Sequence, residues 1–431
     1  METSYETRII NTALKYYGYY PLRAVQLWLV DTHFNKVNST MMNIGALVKF
    51  PPEMDLNRLA QAANDLVNSY DIFRCRLVFH PDTDDLCQRF DGEIIPVEIE
   101  KISDEEFEQR KENLMKPYAL INKPLYRICI FETPTAKYCY VDFYHAIMDG
   151  TAAAILFFRE LGMRYQGKKI TRVPPNYADY ILEELRVSPE ELAEGNKFWR
   201  EILEGFDETK HLPPADVENA QAWKSEDITV PLKNITRKYF FNNARKEHVF
   251  FLAASMLAIA KISCTKSSII SWIHNGRNSA LERRLMGIMI EQFPISWNFE
   301  KDITVKEFLD GLEEKMNTGT KYRRSLGMVY SEGLEDDCAT FIFQKNTGKL
   351  NEMSIGGYVG EVIELPPNEI SAAENSLDIE VNLTDEGNYL LFLDYDASRY
   401  SALAMEKFAA TFDEIVSKLK NEDKLISKIL K

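Results

Sequence analysis

The chain reads as two lobes, each an α/β (α+β) sandwich of mixed strands and helices. Three observations predict this. At 431 residues the chain suits one large two-lobed unit or two domains. Strand-like and helix-like runs follow one another in mixed order rather than in strict βαβ alternation. A strand, a short polar loop and an amphipathic helix also occur in that order twice, at 138–161 and again at 389–419. The expected boundaries are residues 1–175 for the first lobe, 176–225 for crossover helices and linker, and 226–431 for the second lobe.

Residues 1–20 carry little pattern, and Tyr20-Pro21-Leu22 opens a short segment ending near Gln26. Residues 42–50 (MNIGALVKF) predict a strand, stopped by Pro51-Pro52. Residues 55–70 predict an amphipathic helix: Leu56, Leu59, Ala62, Ala63, Leu66 and Val67 share a face, and Asp55 is a good N-cap. Residues 73–79 alternate as a strand, with 86–90 as hairpin partner across the turn-rich HPDTDD, which puts His80 in solvent. A short strand is expected at 94–99 and a charged helix at 104–116, opened by Ser103 and Glu106 in a capping-box pattern. Apolar strands follow at 125–131 and 137–143, then a helix to about Tyr165.

Residues 167–177 are basic and contain proline, as a connection would be. Helices are predicted at 177–185 and 189–203, the second capped by Ser188 with Pro189 at its first position. Residues 204–223 read as a surface linker. The second lobe then offers a strand at 227–232, a helix at 248–263 apolar nearly all round, and a strand at 267–274. The apolar stretch 285–297 is interrupted by Pro294. A helix at 305–317, strands at 339–344 and 389–394, and a closing helix at 401–419 complete the set.

Composition narrows the function. With 45% hydrophobic and 12% aromatic residues the chain can bury a substantial core. A net charge of −15 argues against a nucleic-acid binder, which carries a basic face. No apolar run approaches the ~20 residues of a membrane span, and the polar start METSYETRIINTALKYYGYY is no signal peptide. None of the six cysteines has CxxC spacing, so they read as reduced core thiols of a cytoplasmic protein, without zinc. There is no Gly-rich phosphate loop, no GxSxG and no metal-spaced His/Cys/Glu cluster, so serine-nucleophile and metal mechanisms are not expected.

The strand of the first repeat runs into His145-Ala146-Ile147-Met148-Asp149-Gly150. A histidine at a strand-to-loop junction is held by rigid backbone and can turn its ring to a cleft, as general-base chemistry requires. A lone histidine is more often structural. Asp149 and Gly150 read as turn residues and Thr151 as the N-cap of the next helix.

Seven stretches, in order, resemble the condensation domains of nonribosomal peptide synthetases, within the wider superfamily of chloramphenicol-acetyltransferase-like acyltransferases. They are Tyr20-Pro21-Leu22 with Gln26; 71–77 (DIFRCRL); 122–127 (NKPLYR); 144–150 (YHAIMDG), similar to the HHxxxDG signature; Phe198-Trp199 with Leu203 and Gly205; Asn275-Gly276-Arg277; and 286–289 leading to Phe293-Pro294-Ile295. Tyr144 stands where the signature has its first histidine, and the second is kept as His145. The stretch Ile290-Glu291-Gln292 departs from the usual family sequence, and the DFGWG signature of related acyl-CoA acyltransferases is absent, its nearest counterpart being Gly357-Tyr358-Val359-Gly360. No adenylation or carrier segment follows, so a free-standing member is expected.

The resemblance implies two chloramphenicol-acetyltransferase-like sandwich lobes arranged as a V, with an active-site tunnel between them. It implies transfer of an acyl or peptidyl group from a phosphopantetheine thioester, on an acyl or peptidyl carrier protein or coenzyme A, to a small amine or alcohol. His145 would be general base or positioning group. Gly150 would lend a backbone N–H to the oxyanion, and Asp149 would pair with Arg277 to fix the loop. Tyr144 and His274 are candidate tunnel-lining residues, with packing the favoured reading for Tyr144. No tightly bound cofactor and no metal are implied, and a monomer is expected. Short basic clusters at Lys168-Lys169, Arg283-Arg284 and 321–324 are candidates to meet donor phosphates. Two rivals stay open: an acyl-CoA-dependent O- or N-acyltransferase, and a non-catalytic module that docks carrier proteins.

Overall fold

A computed structural model describes residues 18–35, 39–170, 173–204, 212–217, 224–327, 338–345, 352–365 and 376–431. Most of the linker read at 204–223, including Gly205, lies outside the described residues. The described residues divide into two compact units. The first holds residues up to Arg186 together with Asn275–Ile290 and 352–365; the second holds Val187–His274, Glu291–345 and 376–431. The segment carrying Arg277 is therefore grouped with the first unit, although in sequence it follows strands of the second.

The chain begins with β1 (Tyr20–Pro21) and α1 (Ala24–Asn35), then β2 (Asn43–Phe50) and α2 (Leu56–Ser69). The helix α1 replaces the short segment expected near Gln26. Its sequence AVQLWLVDTHFN is apolar on almost every side, so no 3.6-residue stripe announces it. In α2 the Asp55 carboxylate accepts from the Arg58 N–H at 3.1 Å, and all six apolar residues of the expected face are buried.

The strand expected from residue 73 starts later, as β3 (Arg76–Phe79), because Asp71–Arg74 forms a 3₁₀ turn. Asp71 is held there by accepting from the N–H groups of Tyr177 and Ala178, each at 2.9 Å. β4 (Leu86–Arg89) returns antiparallel to β3, and His80 in the turn between them is fully buried, contrary to expectation. Its Nδ1 accepts from the Asp82 N–H at 3.2 Å.

The stretch 94–99 is not a ladder strand. The Ile95 N–H goes to the Tyr126 hydroxyl and the Val97 N–H to Asn64 Oδ1, each at 2.9 Å, and only β5 (Ile99–Lys101) pairs. The next helix, α3 (Asp104–Lys111), stops short of Lys116, where Pro117 disfavours helical backbone. β6 (Tyr126–Glu132) and β7 (Lys137–Tyr144) form an antiparallel pair, and β2 runs antiparallel on the other side of β7. After the loop the chain turns as a π-helix, Thr151–Phe157, continuing as α4 (Phe158–Tyr165). Then come α5 (Tyr177–Glu184) and α6 (Pro189–Leu203), the latter capped by Ser188.

The second unit contributes β8 (Ser225–Pro231), α7 (Arg237–Asn243), the all-round buried α8 (Glu247–Ile262) and β9 (Ser267–His274). β10 (Glu291–Asn298) carries Pro294 without breaking, because among the described residues it is an edge strand with β9 as its sole neighbour. α9 (Val305–Lys321) and β11 (Thr340–Lys345) follow, and then the hairpin β12 (Glu352–Ile355) and β13 (Tyr358–Ile363), which belongs to the first unit. β14 (Leu377–Leu383), β15 (Tyr389–Asp396), α10 (Ala402–Leu419) and the short α11 (Ser427–Leu430) complete the chain.

Among the described residues the strands form two six-stranded sheets, β12-β13-β2-β7-β6-β5 and β10-β9-β11-β14-β15-β8, and a small sheet β1-β4-β3. In each large sheet the strand that opens the repeated strand–loop–helix, β7 or β15, is antiparallel to both neighbours. Each unit encloses its own apolar core. Ile130, Val141, Phe143 and Phe157 lie in the first, and Phe251, Ile270, Phe341, Leu391 and Phe412 in the second.

Candidate functional site

β7 delivers His145 at its C-terminal end. Because β7 is bonded on both sides, this end is rigid. The His145 N–H donates to the Met42 carbonyl at 2.8 Å, and its own carbonyl accepts from the Met148 N–H at 3.3 Å. The ring is half-buried, and its Nδ1 is buried with no hydrogen-bond partner among the described residues.

Asp149 is fully buried. Its Oδ1 accepts from the Ala152 N–H at 2.8 Å, so Asp149, rather than Thr151, caps the following helix. Its Oδ2 accepts from Arg277 Nη1 at 2.6 Å and from the Met289 N–H at 2.7 Å. Arg277, 3% exposed at its side chain, also donates through Nη2 to the carbonyls of Gly287 at 3.0 Å and Leu285 at 3.5 Å. A buried ion pair whose members also satisfy backbone groups fixes geometry strongly, and removing one partner leaves the other charge stranded. The pair ties the His145 loop to Asn275–Ile290. At Gly276 that segment has φ +65°, and a Cβ there would lie 1.7 Å from the Met289 carbonyl oxygen, so only glycine fits.

Gly150 is no turn glycine. It has φ −57° and ψ −36°, in the right-handed helical region, is exposed, and an added Cβ would meet nothing within 4 Å. The π-helix that follows is a rare geometry, frequent at functional sites.

Tyr144 points into the first core. It is fully buried, its hydroxyl donates to the Leu29 carbonyl at 3.2 Å, and its ring meets His33 edge-on at 5.5 Å. Burial raises its pKa well above the ordinary tyrosine value, so it stays a neutral hydroxyl. His274 ends β9 in the second unit, opposite Glu291 of β10, with its ring 5.2 Å from Trp272 and 5.9 Å from Phe293. Of the basic clusters, Lys321 faces Glu194 at 3.8 Å, Arg283 and Arg284 donate to the Asn278 and Ala280 carbonyls, and Lys168 and Lys169 are exposed. Among the described residues no group of three or more His, Cys, Asp or Glu could hold a metal. No helix among them is long and apolar enough to cross a membrane.

The family model described as "Condensation domain" matches residues 16–428. The chain belongs to the condensation domain family. Surfactin synthase subunit 2 of Bacillus subtilis (strain 168) is 20% identical to this condensation domain over 303 residues, covering 68% of this chain and 8% of that protein. Gramicidin S synthase 2 of Aneurinibacillus migulanus is 19% identical over 424 residues, covering 92% of this chain and 9% of that protein. The condensation domain thus spans less than a tenth of either relative.

Solved structures share the fold. The condensation domain from Monacolin K polyketide synthase MokA superposes with TM-score 0.75 at 17% identity, over 94% of this chain and 98% of that one. The X-domain from teicoplanin biosynthesis gives TM-score 0.75 at 15% identity, over 94% and 96%. A variant of the starter condensation domain of rhizomide synthetase RzmA, in complex with C8-CoA, gives TM-score 0.70 at 13% identity, over 97% and 98%.

Sequence reasoning assigned no role to Gln26, Arg23, Tyr177 or the Met289 N–H, all of which hold this site. One signal was present for Gln26: it belongs to the first of the family-like stretches, and in the structure it is buried on α1 with Val25, Leu29, Val30 and His33.

Proposed function

We propose that this condensation domain transfers an acyl or peptidyl group from a phosphopantetheine thioester to an amine or alcohol acceptor. One observation carries the reading. The loop after β7 is pinned by a fully buried carboxylate with three hydrogen bonds, while the His145 ring at its start keeps part of its surface open. Such a loop invests its polar contacts in holding one imidazole in place. In the reaction the acceptor nitrogen or oxygen attacks the thioester carbonyl, the tetrahedral intermediate collapses, the C–S bond breaks, and the acceptor's proton ends on the departing thiol. His145 takes that proton in transit as general base, or aligns the nucleophile by hydrogen bonding. The Gly150 N–H, at the start of the π-helix, is the candidate donor to the oxyanion. The reading needs no metal and no cofactor beyond the thioester carrier.

The test is condensation with acyl-loaded carrier protein and candidate amines, read by intact mass. Wild type should form product, and His145→Ala should lose it. Full turnover by His145→Ala would remove the imidazole from the mechanism.

Three observations favour two other readings. A similar structure is complexed with C8-CoA, which favours soluble acyl-CoA as donor. Saturation by acyl-CoA alone, without carrier, would select that reading. Tyr144 in place of the first signature histidine, and the likeness to an X-domain that another structure shows in complex with OxyB, favour a docking module. That reading expects partner binding indifferent to loss of His145.

A further inference from the structure

We infer that Gln26 is a positioning residue for His145, acting through the Ala146 carbonyl; the inference rests on the acyl-transfer reading above. Gln26 is fully buried on α1. Its Nε2 donates to the Ala146 carbonyl at 2.8 Å, one residue beyond His145. The same Nε2 donates to Gln88 Oε1 at 3.1 Å, and Gln88 Nε2 donates back to Gln26 Oε1 at 3.2 Å. Gln26 Oε1 also accepts from the Arg23 N–H at 2.9 Å. Gln88 spends its remaining donor on the Pro21 carbonyl at 2.8 Å. The two amides form a reciprocal buried pair, fully satisfied, with one donor left over and aimed at the histidine loop.

Chemistry restricts the residue. The Ala146 carbonyl needs a donor and the Arg23 N–H needs an acceptor, and one side chain must serve both. A primary amide does so. Glutamate has no donor, methionine has neither group, and lysine has no acceptor. Gln26 thereby completes the tethering of the backbone around His145. The His145 N–H is held by Met42, its carbonyl by the Met148 N–H, and the next carbonyl by Gln26. Asp149 holds the far end of the same loop. Arg23, just before α1, donates through Nη1 to the Ile288 carbonyl at 2.9 Å, and the Tyr177 hydroxyl reaches the same oxygen at 2.8 Å. The start of α1 is thus bonded both to the histidine loop and to the Asn275–Ile290 segment that Asp149 grips.

The experiment compares Gln26→Met with Gln88→Met in the full chain. Both break the amide pair, and only the first removes the donor to Ala146. With acyl-loaded carrier and a working amine, Gln26→Met should lower kcat about 10- to 100-fold with KM within about twofold, the range expected when a reacting group is misplaced by about an ångström. Gln88→Met should lower Tm yet keep kcat within about twofold of wild type. A second readout does not depend on turnover: the ¹H–¹⁵N signals of the His145 ring, assigned by their loss in His145→Ala, should shift in Gln26→Met and stay in Gln88→Met. Equal loss of kcat in the two variants, or an unmoved His145 signal in Gln26→Met, would overturn the inference. Wild-type turnover in His145→Ala would remove the imidazole from the mechanism and overturn the inference with it, whereas no product from wild type would sink the acyl-transfer reading and leave the ring signals to judge the placement. Should Gln26→Met not fold, Gln26→Asn, which keeps the amide but draws it back by one methylene, is judged by the same two readouts.

Discussion

Replacing Asp149 by alanine tests whether this carboxylate is what holds the histidine loop. The substitution removes the 2.6 Å pair with Arg277 and the bonds from the Ala152 and Met289 N–H groups. It leaves Arg277 buried, with its Gly287 and Leu285 carbonyl contacts but no counter-charge. Breaking a buried pair from one side costs about 3–5 kcal/mol. The double variant Asp149→Ala/Arg277→Met carries no stranded charge, so it should be less destabilised than Asp149→Ala alone, although the Met289 N–H stays unsatisfied at about 1–3 kcal/mol. With two compact units a bulk urea curve can mix two transitions, so the readout has to be local. Hydrogen exchange followed by mass spectrometry under rising urea, on peptides covering 146–157 and 285–292, provides it. Both peptides should lose protection together in Asp149→Ala, and His145→Ala, which removes no side-chain hydrogen bond, should leave them protected. A cost below about 1 kcal/mol, or loss confined to one peptide, would refute the claim that Asp149 couples the two segments.

Two further outcomes follow from other parts of the chain. Burial, with help from the charges of Lys246, His274 and Lys345, lowers the His248 pKa to about 4. The unfolded chain therefore binds the extra proton first, so this group's contribution is complete above pH ~6.5 and falls away toward pH 4. Its full size is roughly 3 kcal/mol, and His248→Phe should flatten the stability of the second unit against pH in that window; an unchanged slope would contradict it. A fragment ending at residue 186 should not fold on its own. It lacks Leu285, Met286, Ile288, Met289 and Ile355, all buried in the first core, as well as the partner of Asp149. Burying five such side chains is worth about 7–15 kcal/mol, comparable with a domain's whole stability. The fragment should bind a hydrophobic dye and unfold without a sharp urea transition, and a cooperative transition would refute this.

Elements whose signals are local were legible in the sequence. α2 and α6 were readable because Asp55 and Ser188 cap their own helices, accepting from the N–H three residues on, at 3.1 Å in each case. Elements decided by distant partners were not. β13 becomes a strand by pairing with β2, Glu361 opposite Lys49, and nothing local demands it. Asp71 makes a turn of what looks like a strand because it caps α5 more than a hundred residues away. The site divides in the same way. The run His145–Gly150 stands out by its motif and the resemblance named Arg277 as the partner of Asp149, yet the contacts from Gln26 and the Met289 N–H leave no trace in the spacing.

The partners of the His145 ring bear on which of its two proposed roles is the stronger. A histidine that acts as general base through one ring nitrogen must keep its proton on the other, and in serine-hydrolase triads a carboxylate accepts that proton and fixes the tautomer. Here Nδ1 is buried, and no acceptor among the described residues reaches it. Placing the proton on Nδ1 would strand a buried donor at about 1–3 kcal/mol. Leaving Nδ1 bare strands only an acceptor, and Nε2 then carries the hydrogen. In that tautomer the neutral ring offers a donor to the reaction. That weighs toward His145 orienting the reactants or hydrogen-bonding the developing charge, and against its drawing the proton from the acceptor in the resting state. Asp149 does not supply the missing acceptor: its oxygens hold Ala152, Arg277 and Met289, and neither is bonded to the His145 ring. The carboxylate of this motif works on the loop's backbone, and among the described residues no group accepts from His145 Nδ1.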